Sequence, residues 1–258
     1  MTGIITLSLV PLRESDSERS EMGSQLLFGE RVEIIELRDR WLFVRNLSDN
    51  YTGWVDRKMI QILTVEEEIQ LASTRYRCVQ IPLSVCDKTT SNEKMFLPGG
   101  SKVPASANGE FSIRENKYQI AGADICSPEK VTGNKLVQLA TQYLNAPYLW
   151  GGKSIMGIDC SGFVQIIYAM CDIQLPRDAD KQVDCGGVID FLSEAQAGDL
   201  AFFENAERKI THVGLLLNSS QLIHASGWVK IETIDSQGII SSQSGAYTHT
   251  LRLIKRLI

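Results

Sequence analysis

A chain of 258 residues with 31 acidic and 26 basic side chains carries a net charge of −5, so it has no basic excess with which to grip nucleic acid or an anionic bilayer. Its 43% hydrophobic content can bury a sizeable core, no apolar run approaches the roughly 18 residues that would span a membrane, and the stretch from Met1 to Arg13 lacks the segments of a secretory leader. Six irregularly spaced cysteines in a chain of this size read as reduced thiols, so the expectation is a cytoplasmic globular protein of two or three domains acting on small peptides.

Residues 1–63 alternate short β-rich runs with turns: Ile4 to Val10, Arg31 to Leu37, Trp41 to Arg45 and Tyr51 to Val55. That pattern predicts a small β-barrel. Residues 64–128 begin with a short helix from Val65 to Leu71, whose Glu66 to Glu68 run reads as a solvated helix start. Turn-separated strands follow in Phe96 to Pro104 and Gly109 to Arg114, giving a second, divergent barrel with a linker from Ser127 to Gly133. Thr132 then caps a helix reaching Leu144, with Leu136, Val137, Ala140, Tyr143 and Leu144 as its apolar face, and opens a third domain over 129–258.

The third domain holds the residues that carry chemistry. A glycine-rich approach, Tyr148-Leu149-Trp150-Gly151-Gly152, leads to Asp159-Cys160-Ser161-Gly162-Phe163, which turns into an apolar helix with Asp159 as its N-cap. Phe163, Val164, Ile166, Ile167 and Met170 form one buried face of that helix. Cys160 therefore sits at a helix N-terminus, where unpaired N–H groups and the dipole favour thiolate. The other cysteines, Cys78, Cys86, Cys126, Cys171 and Cys185, read as small buried hydrophobes.

A thiol nucleophile needs a base. The chain has three histidines, of which His212 opens the apolar run Thr211 to Leu217 and His224 lies in Gln221 to Ser226, two strands of a hairpin around Asn218 to Ser220. An odd loop would pair positions 212 and 224 directly and put both rings on one face; an even loop would put them on opposite faces. The functional reading makes His212 the base for Cys160 and His224 its orienter. A His/Cys zinc site is the rival, weakened by the absence of any Cys-x-x-Cys or His-Glu-x-x-His spacing, so no metal is expected.

These blocks, with Pro147-Tyr148, Ala197-Gly198-Asp199-Leu200 and Thr211-His212-Val213-Gly214, resemble in order and density the NlpC-type cell-wall peptidases over about the last half of the chain. The resemblance implies a papain-like core that cleaves amide bonds to D-glutamate in peptidoglycan peptides without a cofactor. By it, Cys160 is the nucleophile, His212 the base, His224 the third polar residue, and the Tyr148 hydroxyl joins the backbone N–H of Cys160 in stabilising the oxyanion. Trp150 and Ser161 are expected to line the substrate pocket. The segment Ser20 to Glu30 with Trp41 and Tyr51 to Trp54 is similar to bacterial SH3-like modules. The fold class expected is thus α+β, a papain-like NlpC-type domain preceded by one or two SH3-like barrels.

That pairing of domains is similar to peptidases that cut L-Ala-γ-D-Glu from the following diamino acid in recycled murein peptides. A free α-amine entering such a site needs a carboxylate partner. Glu21 and Asp159 are the candidates, with Tyr51 as a neutral partner. Ala179, in Pro176-Arg177-Asp178-Ala179, departs from the serine that the family often carries there. Three alternatives stay open: an endopeptidase or amidase on intact peptidoglycan, a wall-binding module with a degenerate peptidase domain, and a related acyltransferase.

Overall fold

A computed structural model of the chain describes residues 1–106, 108–125 and 130–258. Cys126 and the linker positions 127–129 lie outside the described residues. The chain divides into two compact units, Met1–Ser127 and Pro128–Ile258.

The first unit opens with seven strands, β1 (Thr2–Ile4), β2 (Leu9–Arg13), β3 (Met22–Leu27), β4 (Arg31–Arg38), β5 (Trp41–Asn46), β6 (Thr52–Asp56) and β7 (Gln61–Ile62), joined in one antiparallel sheet in the order β3-β2-β6-β5-β4-β1-β7. The expected run from Ile4 to Val10 is two strands, because the chain leaves β1 at Ile5, whose N–H donates to Glu30 O at 3.0 Å and whose carbonyl accepts from Gly29 N–H at 2.8 Å. That break serves two cores. Adjacent residues of an extended chain point to opposite sides, so Ile5 packs with Val10, Leu12, Leu26, Val32, Leu42, Val44, Val55 and Ile60, while Ile4 joins the cluster around Phe28, Leu97, Phe111 and Tyr118.

The second cluster is enclosed by α1 (Val65–Ser73) and by β8 (Tyr76–Cys78), β9 (Leu83–Lys88), β10 (Glu93–Pro98), β11 (Lys102–Pro104), β12 (Glu110–Ile113) and β13 (Asn116–Ile120). These strands form a four-stranded sheet, β10-β9-β13-β12, and the pair β11-β8. Helix α1 starts at a full capping box, Thr64 accepting from Glu67 N–H and the Glu67 carboxylate accepting from Thr64 N–H at 2.9 Å. The acidic start therefore has a helix-capping job.

In the second unit α2 (Gly133–Thr141) is capped by Thr132 as expected, and ends three residues before Leu144. The short pair β14 (Lys153–Ser154) and β15 (Gly157–Ile158) leads into α3 (Cys160–Ala169). Every residue of α3 is buried, so the helix is enclosed on all sides and does not present the single apolar stripe expected from its sequence. After α4 (Ala179–Gln182) come β16 (Gly187–Ile189), β17 (Leu200–Glu204), β18 (Ile210–Asn218), β19 (Gln221–Ser226), β20 (Trp228–Ile234), β21 (Gly238–Ile240) and β22 (Tyr247–Arg256).

Their sheet runs β16-β22-β17-β18-β19-β20-β21, and β22 also pairs with β21, so the last six members of that order close on themselves. One ten-residue strand makes the closure, its first half on β21 and its second half on β17. Where β21 meets β22 the chain needs glycine: Gly238 has φ +153°, and a Cβ there would fall 1.8 Å from the carbonyl oxygen of His249. Gly238→Ala is expected to destabilise the protein by at least about 2 kcal/mol in urea unfolding followed by tryptophan fluorescence. Gly187→Ala, with nothing within 4 Å of the added methyl, should stay within about 0.5 kcal/mol of the parent.

Candidate active site

The site begins with how α3 starts. Asp159 caps the helix by accepting from Gly162 N–H at 2.7 Å, and its other oxygen accepts from Gly151 N–H at 2.8 Å. Arg177, itself buried, donates to both Asp159 oxygens and, at 2.9 Å, to the Ser161 hydroxyl, which donates to Asp159 Oδ1 at 3.3 Å. The carboxylate expected to receive a substrate ammonium is thus buried and committed to an arginine and two backbone amides. Sequence reasoning placed Arg177 in a motif but missed this pairing. Gly162 permits it, since a Cβ there would lie 2.4 Å from Gly152 O, where the glycine loop crosses the helix start.

Cys160 is the first residue of α3 and is 7% exposed. Backbone N–H groups of Val213 and Ser161 bond its sulfur and favour thiolate, as the helix start was expected to do, but burial and the neighbouring Asp159 charge prevail and push the thiol up to about 11. The group is a neutral thiol at neutral pH. To react it needs a base, and the Val213 N–H bond sets the sulfur against the β18 backbone one residue past His212.

The histidines come together through a register detail. β18 and β19 pair Leu216 with Leu222 and Leu215 with Ile223, which sets His224 opposite Gly214 and not, as a direct pairing would have it, opposite His212. The hairpin turns through Ser219 and Ser220, an even loop that alone would put the two rings on opposite faces. A β-bulge between Leu216 and Asn218 adds one residue on β18 and restores the common face. His212 Nε2 then lies 2.8 Å from His224 Nδ1.

Glu232 on β20, which the sequence reading did not single out, completes the chain: His224 Nε2 is 3.0 Å from Glu232 Oε2. The alternation Trp228-Val229-Lys230-Ile231-Glu232 was the available signal, a strand with polar residues on one face. Burial opposes charge on Glu232, but hydrogen bonds from His224 and Ser242 and the positive charge of Lys230 prevail, and its carboxyl falls to about 2. An ionised carboxylate only accepts. His224 Nε2 therefore carries a proton and donates it, His224 Nδ1 accepts from His212 Nε2–H, and His212 Nδ1 is left with its lone pair free. Burial, then His224, His249 and Lys230, hold His212 well below its ordinary value, so it is a neutral base.

Tyr148 is half-buried, its backbone N–H donating to Gly227 O at 2.9 Å beside the bridge from Pro147 to Trp228. Burial and the nearby Cys160 push its hydroxyl up to about 12, so it serves as a neutral donor. Trp150 is 61% exposed, a surface indole next to the glycine pair. Ala179 is buried at the start of α4. Glu21 and Tyr51 belong to the first unit: Glu21 is exposed, and the Tyr51 hydroxyl lies where a Cβ on Gly23 would be only 2.6 Å away. Among the described residues no group of three or more His, Cys, Asp or Glu side chains is arranged to hold a metal ion.

Residues 145–248, which carry this arrangement, match the NlpC/P60 family, and residues 12–60 match the bacterial dipeptidyl-peptidase Sh3 domain. The chain carries an NlpC/P60 domain behind a bacterial SH3 domain. Among curated proteins it is 29% identical to the gamma-D-glutamyl-L-lysine dipeptidyl-peptidase of Bacillus subtilis, over 78% of this chain and 71% of that protein. It is 27% identical to dipeptidyl-peptidase 6 of Lysinibacillus sphaericus, over 97% and 98%. An NlpC/P60 family protein from Bacillus cereus has the same fold, with a TM-score of 0.86 at 18% identity over 99% of both chains. The α+β class, with an NlpC/P60 domain after SH3-like β-structure, is thereby established.

The Glu232 carboxyl of the NlpC/P60 domain ties stability to pH. Its folded value of about 2 lies below the ordinary 4.5, so its contribution is complete above about pH 5 and is lost as the pH falls toward 2. His224, held neutral by burial, acts in the same direction, because unfolding lets it charge below 6.5. Glu232→Gln is expected to flatten the fall in unfolding free energy between pH 5 and 3.5, read from urea titrations at each pH.

Proposed function

We propose that the NlpC/P60 domain is a cysteine peptidase acting on peptidoglycan-derived peptides. The observation that carries this reading is the directed chain from Glu232 through His224 to His212, which leaves Nδ1 of a neutral imidazole as an acceptor one residue from Val213, whose N–H bonds the buried thiol. His212 takes the Cys160 proton and the sulfur adds to the amide carbonyl. The oxyanion so formed is met by the Cys160 N–H, which has no partner within the helix at its first turn, and by the Tyr148 hydroxyl. His212 returns the proton to the leaving amine as the C–N bond breaks, and water hydrolyses the thioester with His212 again as base. Glu232 and His224 compensate the imidazolium charge without themselves exchanging bonds with substrate.

The finer reading is hydrolysis of the bond between γ-D-glutamate and a diamino acid in peptides with a free N-terminal L-alanine, releasing L-Ala-γ-D-Glu for cell-wall recycling. The names of the Bacillus and Lysinibacillus relatives and the accompanying SH3 domain support it. With Asp159 held by Arg177, this reading leaves the ammonium to the exposed Glu21 carboxylate and the Tyr51 hydroxyl. Ser161, bonded to Arg177 and Asp159, and Trp150 are its remaining substrate contacts.

L-Ala-γ-D-Glu-L-Lys and its diaminopimelate counterpart, incubated with the protein and read by mass spectrometry, are expected to give L-Ala-γ-D-Glu. Cys160→Ala should lose at least a thousandfold in kcat with peptide binding kept, and His212→Ala should cost more than His224→Gln, whose amide still bonds His212. A larger loss from His224→Gln than from His212→Ala would mean that the two roles are swapped. N-acetylation of the alanine should lower kcat/KM at least a hundredfold; equal cleavage of both peptides would make the protein an endopeptidase.

A further inference from the structure

The third histidine of the chain lies on the second. His249, on β22, stacks on His212 with ring centroids 4.2 Å apart and an interplanar angle of 30°. Phe203 packs near both rings, at 5.7 Å from His212 and 5.9 Å from His249, and His224 stands edge-on to each. His212 is thus confined by Phe203 on β17, His224 on β19 and His249 on β22. The backbone under His249 is fixed where β22 meets Gly238, and its Nδ1 lies 2.9 Å from the Thr248 hydroxyl. That hydroxyl spends its one proton on Ile239 O at 3.4 Å, so it accepts from His249 Nδ1–H and leaves His249 Nε2 bare.

We propose that His249 is a positioning residue for His212: as a neutral ring lying flat on the base it holds the plane that offers Nδ1 to Cys160, and on taking a proton in acid it prevents His212 from accepting one. The charged and titratable groups facing His249 are His212 on β18, His224 on β19 and Lys230 and Glu232 on β20, while Glu204 on β17 pairs with Arg252 at 3.3 Å. Burial first, then His224 and Lys230, hold His249 down to about 4 against the opposing pull of Glu232. It is therefore neutral wherever the base must work. Two imidazolium rings at 4.2 Å repel strongly in so desolvated a place, so the proton that His249 gains is one that His212 forgoes.

The proposal rests on Cys160 as nucleophile and His212 as base, and its test separates the two ideas by reading the thiol without any peptide substrate. The rate of iodoacetamide alkylation at Cys160, followed in its proteolytic fragment by mass spectrometry, is measured from pH 8 to pH 4 for the parent, His212→Ala, His249→Ala and His249→Phe. His249→Ala is expected to slow alkylation at least tenfold at pH 7, and, in the separate peptide assay, to lower kcat at least tenfold with KM within twofold. His249→Phe, which keeps a neutral ring on His212, should recover to within threefold of the parent and retain about twice the parent's relative rate at pH 4, on a shallower acid limb. The inference is overturned if His249→Ala stays within twofold of the parent at pH 7, or if the acid limb of His249→Phe superimposes on the parent's. If His212→Ala also leaves alkylation unchanged, the assignment of nucleophile and base falls with it.

Discussion

The hydrogen bond from His224 to Glu232 sets the direction of everything around Cys160. A buried carboxylate can only accept, so it dictates which nitrogen of His224 carries a proton, and that in turn dictates the tautomer of His212. Without the carboxylate the two imidazoles could share their proton either way round, and Nδ1 of His212 would be a donor as often as an acceptor. Ser242 and Lys230 secure the carboxylate in turn, through a 3.1 Å backbone bond and a 3.5 Å ion pair. The base is therefore prepared by β20 although it stands on β18.

A second constraint acts at the other end of the reaction axis. Asp159 and Arg177 neutralise one another in the interior, and the pair's hydrogen bonds to Gly151, Ser161 and Gly162 fix the glycine loop to the first turn of α3. Such a pair contributes more to geometry than to stability, since the desolvation of both ions offsets much of their attraction. Its effect is that Cys160 is presented on a helix start that cannot turn about its own axis.

Much of this was legible in the residues themselves. Cys160 after a glycine-rich approach, Asp159 and Thr132 as helix caps, and two histidines in consecutive strands all follow from local chemistry that one segment decides by itself. What was not legible depends on partners remote in sequence. The common face of His212 and His224 hangs on a bulge at Leu217, and nothing in an apolar strand announces where an extra residue will be accommodated. Glu232 and Arg177 act across strands and loops, eight and eighteen residues from their partners, and read in isolation as ordinary charged positions. The full enclosure of α3 is likewise decided by what surrounds it, including Gln165, whose amide donates to Leu175 O at 3.0 Å and so permits a polar residue inside.

The closure of the C-terminal sheet by β22 has a bearing on how the protein comes into being. That strand follows every other strand of the sheet in sequence, yet it supplies neighbours to both β17 and β21 and carries the ring that covers His212. During synthesis the nascent chain can already hold Cys160, His212, His224 and Glu232 while two sheet edges remain open and the base lies uncovered. The sheet therefore cannot close, and His249 cannot cover His212, until that strand has followed the others off the ribosome.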